Sequence, residues 1–122
     1  MSTTINLDKS KELNILCTKG YTFGPLLLQM SVTNSDPKEY YDITQWSFEM
    51  KAKVSSFQLE ANFQFTDLIK GENGQLLITK SASEMNLIQA MTYLYELRAT
   101  LPNGESYRII NGKIIVKDAV ND

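Results

Sequence analysis

The sequence predicts an all-β domain, a two-layer sandwich or small barrel of seven or eight short antiparallel strands, on three observations. Apolar and polar residues alternate with period two in stretch after stretch, most cleanly over Trp46–Val54 and Met91–Thr100. Turn-forming clusters separate those stretches, at Gly20, Asn34–Lys38, Gly71–Gly74 and Leu101–Gly104. No long apolar stripe of helical spacing competes with them.

The elements follow in order. Leu13, Ile15 and Cys17 share one face of a first strand, which Gly20 ends. Leu26, Leu28, Met30 and Val32 share one face of a second, with Gln29, Ser31 and Thr33 opposite. Asn34–Lys38 is a turn, because Asp accepts backbone hydrogen bonds and Pro fixes φ. In the third strand Trp46, Phe48, Met50, Ala52 and Val54 face inward and Gln45, Ser47, Glu49, Lys51 and Lys53 face water. Ala61, Phe63 and Phe65 give a shorter strand closed by Thr66-Asp67, and Leu76–Thr79 another. Ser81 followed by Glu84 has capping-box spacing, but only Met85–Ile88 follows before strand character returns, so a single helical turn is expected. Met91, Tyr93, Tyr95, Leu97 and Ala99 line the next strand. Asn103-Gly104 supplies the positive φ of a hairpin loop. Tyr107–Ile110 and Ile114–Val116 are expected to form one long strand with a bulge at Asn111-Gly112. The residues before Lys11 are polar and lack a core pattern. Two segments are therefore expected: a flexible arm over 1–10 that orders on assembly, and a β-sandwich over 11–120, ending in a frayed tail after Val116.

Composition excludes several functions. The 122 residues suit one domain, and 43% hydrophobic with 21% charged residues is globular composition. The net charge of −2, with twelve Lys and Arg scattered between acids, argues against a nucleic-acid partner. The longest apolar run, Pro25–Leu28, is too short to cross a bilayer, and Met1–Thr4 begins no signal peptide, so no membrane partner is expected and synthesis in a cytoplasm is. There is no His, which removes the commonest general base and metal ligand. The single Cys17 has no internal disulfide partner and reads as a small buried hydrophobe.

Several short pieces taken together carry a resemblance. They are Gly20-Tyr21-Thr22-Phe23, the corner Asp42-Ile43-Thr44-Gln45-Trp46, the basic strand end Lys51-Ala52-Lys53, Tyr93–Leu97 as Tyr-x-Tyr-Glu-Leu, and the finish Gly112–Val116. In this order the chain resembles the family of small immunoglobulin-like domains of tailed bacteriophages, that of the N-terminal domain of baseplate upper proteins. The resemblance spans Gly20 to about Val120 and departs at Gln45, where the family usually has Gly. It implies an immunoglobulin-like antiparallel β-sandwich of seven to eight strands with one short helical turn. It also implies a virion-assembly role in tail, baseplate or neck rather than receptor binding. The partners it implies are copies of the same chain and other virion proteins, with docking through strand edges and loop tips.

Each chemistry-bearing group has a plainer structural role. Asp42 and Thr44 are expected to bond backbone groups at a corner. Asp36, Glu39 and Asp42 lack the dense oxygen ligands of a calcium loop, so no metal or cofactor is expected. Gly71–Gly74 lacks the Lys-Ser/Thr and the helix of a phosphate loop. No catalytic set is evident, so the protein is expected not to be an enzyme. Tyr40, Tyr41, Trp46, Tyr93 and Tyr95 raise the alternative of a carbohydrate-binding module or adhesin, and a capsid decoration role is a further alternative. Trp46, on the apolar face of its strand, is expected in the core. Tyr40 and Tyr41 are adjacent, so at least one is expected at the surface; these two are the candidate partner contacts.

Overall fold

The computed structural model describes residues 2–6, 10–32, 37, 39–55 and 57–119. It contains ten strands and one helical turn: β1 Ser2–Asn6, β2 Lys11–Glu12, β3 Ile15–Thr18, β4 Phe23–Ser31, β5 Ser47–Lys53, β6 Phe63–Phe65, β7 Asp67–Lys70, β8 Gln75–Lys80, α1 Ala82–Met85, β9 Thr92–Thr100 and β10 Ser106–Lys117. They form two facing sheets. One has the order β1-β4-β8-β7; the other runs β2-β10-β9-β5-β6, with β3 also paired to β10. Strands β4-β8-β7 in one layer and β10-β9-β5 in the other give the strand arrangement of an immunoglobulin-like sandwich. The turn expected over Asn34–Lys38 falls almost wholly outside the described residues, as does the end of the tail beyond Ala119.

Strand β9 is the centre of the larger sheet, antiparallel to both β5 and β10. Its alternation is complete: Tyr93, Tyr95, Leu97 and Ala99 are buried, and the residues between them face outward or are half-buried. Those side chains meet Leu28, Met30, Leu76 and Ile78 from β4 and β8, all fully buried. Burial of this apolar layer from both sheets is the main favourable term in folding, roughly 25 cal/mol per Å² removed from water.

At the start of β9 the Tyr93 hydroxyl donates to the Gln89 carbonyl at 2.6 Å, tying the strand back to the corner that follows α1. This is the tyrosine corner of immunoglobulin-like sandwiches. The helical turn is held as its spacing predicted: the Ser81 Oγ accepts from the Glu84 amide at 3.3 Å and donates to Glu84 Oε1 at 2.9 Å. Met85 anchors it in the core. Just before it, Lys80 is a buried cation. Its ammonium donates to the Gln64 carbonyl of the opposite sheet at 2.7 Å, lies 3.7 Å from Glu84 and sits over the Phe65 ring.

Four features differ from the sequence reading. Residues 2–6, within the segment 1–10 expected as a flexible arm, form β1, paired in parallel with Leu27–Ser31 of β4. An edge strand needs only backbone complementarity, so a polar segment rich in β-branched residues can fill the place without a core pattern. The N-terminal strands β2 and β3 likewise run parallel to β10. Second, Thr66-Asp67 does not end the strand run. The chain crosses from one sheet to the other at Thr66 and continues as β7 on the edge of the smaller sheet. Third, β10 is one long strand, but its register shifts between Arg108 and Ile110, which lets Ile109 and Ile110 both face the core. Gly112 instead permits close approach, since a Cβ there would lie 2.6 Å from the Leu13 carbonyl oxygen. Fourth, Val54 lies beyond β5 and is exposed.

Candidate docking surface

The corner from Tyr40 to Trp46 joins the two sheets at one end of the sandwich. Tyr40 bridges Ser31 at the end of β4, and the Tyr41 amide donates to the Met30 carbonyl at 3.1 Å. The β7–β8 loop packs under this segment. Gly74, at φ +70°, is held so close that a Cβ would lie 2.5 Å from the Met30 oxygen and 3.0 Å from the Tyr41 oxygen. The two candidate contacts then part ways. Tyr40 is 36% exposed, whereas Tyr41 is half-buried with its ring 5.5 Å from that of Trp46. Trp46 is buried and continues the ring contacts to Phe48 at 6.2 Å.

Asp42 and Thr44 do what the corner requires. Asp42 Oδ1 accepts from the Thr44 hydroxyl at 2.8 Å and from the Thr44 amide at 3.1 Å. Those hydrogen bonds, the hydroxyl's first, hold the Asp42 carboxyl below the usual carboxylate range. Both of its described bonds are spent on its own turn. Of the three acids weighed as a calcium set, Asp36 lies outside the described residues. Among the described residues no three His, Cys, Asp or Glu side chains converge.

The two tyrosines of β9 are turned inward. Tyr93 and Tyr95 are buried, and the Tyr95 hydroxyl donates to the Leu13 carbonyl. Phe63 packs edge-on against Tyr93 at 4.8 Å. Burial raises the Tyr95 phenol well above its ordinary value and the Tyr93 phenol in the same direction. Cys17 is half-buried, and burial raises its thiol too, which disfavours the reactive thiolate.

Two surface features escaped the sequence reading. The loop joining β5 to β6 lifts Phe57 and Leu59 almost clear of the protein, at 93% and 96% exposure, and Leu87 after α1 is 85% exposed. Strands β5 and β9 are antiparallel, with Lys53 opposite Leu94, so the β5–β6 loop and the approach to β9 lie at the same end of the sandwich. The only signal in the sequence was that Phe57 and Leu59 follow Ser55-Ser56, outside any strand. The second feature is a notch of about 450 Å³ beside the first half of β5, floored by Trp46, Phe48, Phe65 and Leu68.

An all-β, immunoglobulin-like sandwich is the class of protein that the fold defines. No family model and no curated protein matches the sequence. Solved structures do match the fold. The N-terminal domain of phage TP901-1 ORF48 superposes with a TM-score of 0.53 at 9% identity, over 95% of this chain and 98% of that one. The PKD domain (329–428) of human KIAA0319 is matched at a TM-score of 0.40 and 11% identity, over 99% of this chain and 86% of that one. The immunoglobulin-like fold that the sequence motifs implied is thus the fold of a phage protein domain from end to end.

Proposed function

We propose that the chain is a non-enzymatic structural module of a bacteriophage particle, placed in its tail, baseplate or neck and held there by protein–protein contacts. The observation that carries this reading is the end-to-end correspondence with a phage domain, which leaves little of either chain unmatched. The motifs from Gly20 to Val116 resemble phage assembly domains independently of that superposition. In this reading the docking role draws on Phe57 and Leu59, which stand nearly bare at one loop tip. Tyr40, exposed at the corner beside the β7–β8 loop, is a contact in this reading, and Tyr41 positions it by packing on Trp46.

A sugar-binding module would need flat aromatics side by side at the surface. Trp46, Tyr93 and Tyr95 are buried, so those three do not supply such a platform. The test is light-scattering chromatography of the chain mixed with purified virion proteins. Co-elution with a tail, baseplate or neck protein is expected. A chain that ignores all of them while binding on a glycan array would overturn the proposal.

A further inference from the structure

The notch and the loop tip lie at opposite ends of the same hairpin. Strand β5 runs from Ser47 to Lys53, and β6 returns beside it only as far as Met50, pairing with Met50, Lys51 and Ala52. Beyond that point the chain crosses at Thr66 to the other sheet, leaving the first half of β5 without a neighbour from β6. The notch opens there, floored by Trp46, Phe48, Phe65 and Leu68, with Ser47, Gln64, Thr66 and Lys70 among its polar lining. The tip with Phe57 and Leu59 projects from the far end of β5. A single chain cannot bring the two together, but two chains can.

We infer that the Phe57–Glu60 tip of one copy docks into the β5–β6–β7 notch of a second copy, a head-to-tail contact. The tip's Phe57 and Leu59 meet the half-buried Phe48 and Leu68 of the notch, and the charges agree. Glu60 follows Leu59 at the tip and Lys70 stands at the notch. Among the described residues neither forms an ion pair, and Lys70 is held in place by bonds of 2.9 Å to the Thr44 and Trp46 carbonyls. The other acid at the notch, Glu49, is occupied with Lys51. A contact between two different patches of the same chain propagates, closing into a ring or continuing as a filament. This deepens the proposed assembly role and rests on it.

The test is sedimentation velocity of the full chain over a dilution series. The average mass is expected to rise with concentration. A tip variant, Phe57→Ser with Leu59→Ser, and a notch variant, Thr66→Trp, should each lose at least tenfold in self-association. The tip residues are nearly bare and Thr66 is exposed, so neither change removes core atoms; circular dichroism and a thermal melt confirm each fold. An equimolar mixture of the two variants has one intact tip facing one intact notch, and should give a species of twice the chain mass and nothing larger. Lys70→Glu should weaken association, and adding Glu60→Lys in the same chain should restore it. A wild-type chain that stays monomeric at every concentration overturns the inference, as does a tip variant that associates like the wild type. If the monomeric chain still co-elutes with a virion protein, this inference fails while the assembly role stands. If that binding is then lost in the tip variant, the tip serves a different protein and the second-copy contact is wrong. A chain that neither self-associates nor binds virion proteins sinks both.

Discussion

The Tyr93 hydroxyl reaches back four residues to the Gln89 carbonyl at 2.6 Å, and this bond fixes how the chain turns from the smaller sheet into the centre of the larger one. It joins the segment after α1 to the strand that pairs with both β5 and β10. Replacing Tyr93 by Phe keeps the ring against Phe63 and removes only this bond. A loss of about 1 kcal/mol is expected, the ordinary net worth of one hydrogen bond. Urea unfolding checks it: the midpoint should fall and the slope stay unchanged.

The β7–β8 loop offers a comparison of two glycines. Gly74 and Gly104 both have positive φ, +70° and +91°, but only Gly74 lies against backbone, while nothing lies within 4 Å of a Cβ at Gly104. Gly104→Ala should therefore cost only the backbone strain, about 1 kcal/mol. Gly74→Ala carries the same strain and also forces the Met30 and Tyr41 carbonyls apart, for a total of about 3 kcal/mol. Differential scanning calorimetry of the pair measures the difference. Equal losses would mean that the loop does not pack under the Tyr40–Tyr41 segment.

Stability should fall at alkaline pH through Tyr95. Its folded-state pKa is raised by burial, so folding favours the neutral phenol. The sign follows: the contribution is fully present below the unfolded value near pH 10 and is lost as pH rises above it. Tyr93 acts in the same direction. Denaturant midpoints measured from neutral pH to about pH 11 should decline above about pH 10. In Tyr95→Phe the neutral-pH stability should drop by about 1–3 kcal/mol, because the Leu13 carbonyl loses its partner, and the alkaline decline should flatten.

At the acid end the capping turn is one sensitive element. The Ser81 hydroxyl, and then the charge of Lys80, hold the Glu84 carboxyl below its ordinary value. A depressed carboxylate stabilises above its unfolded pKa, about 4.3, and that contribution is lost as pH falls through the folded value. Melting temperatures measured below about pH 5 should fall less steeply in Glu84→Gln than in the wild type.

How much of this was readable from the sequence depends on what each residue's neighbours decide. Strands β5 and β9 were legible because one face is buried and the other wet, which writes a period of two directly into the residues. The capping turn was legible from Ser81 and Glu84 alone. Strand β7 was not, because Thr66-Asp67 looks the same whether a strand ends or changes sheet. Strand β1 was not, because an edge strand is held by backbone bonds and leaves no apolar pattern. The adjacency of Tyr40 and Tyr41 put at least one at the surface, and the Trp46 ring decides which: Tyr41 packs on it and Tyr40 is left outside. Phe57 and Leu59 read as ordinary apolar residues, since exposure is a property of the fold and not of the side chain.

Under the proposed function, the most direct measurement is quantitative mass spectrometry of gradient-purified phage particles from the source of this chain. A structural module should co-band with the particles at a fixed copy number and withstand a high-salt wash with the tail proteins. A chain abundant in the infected lysate but absent from purified particles would contradict the account.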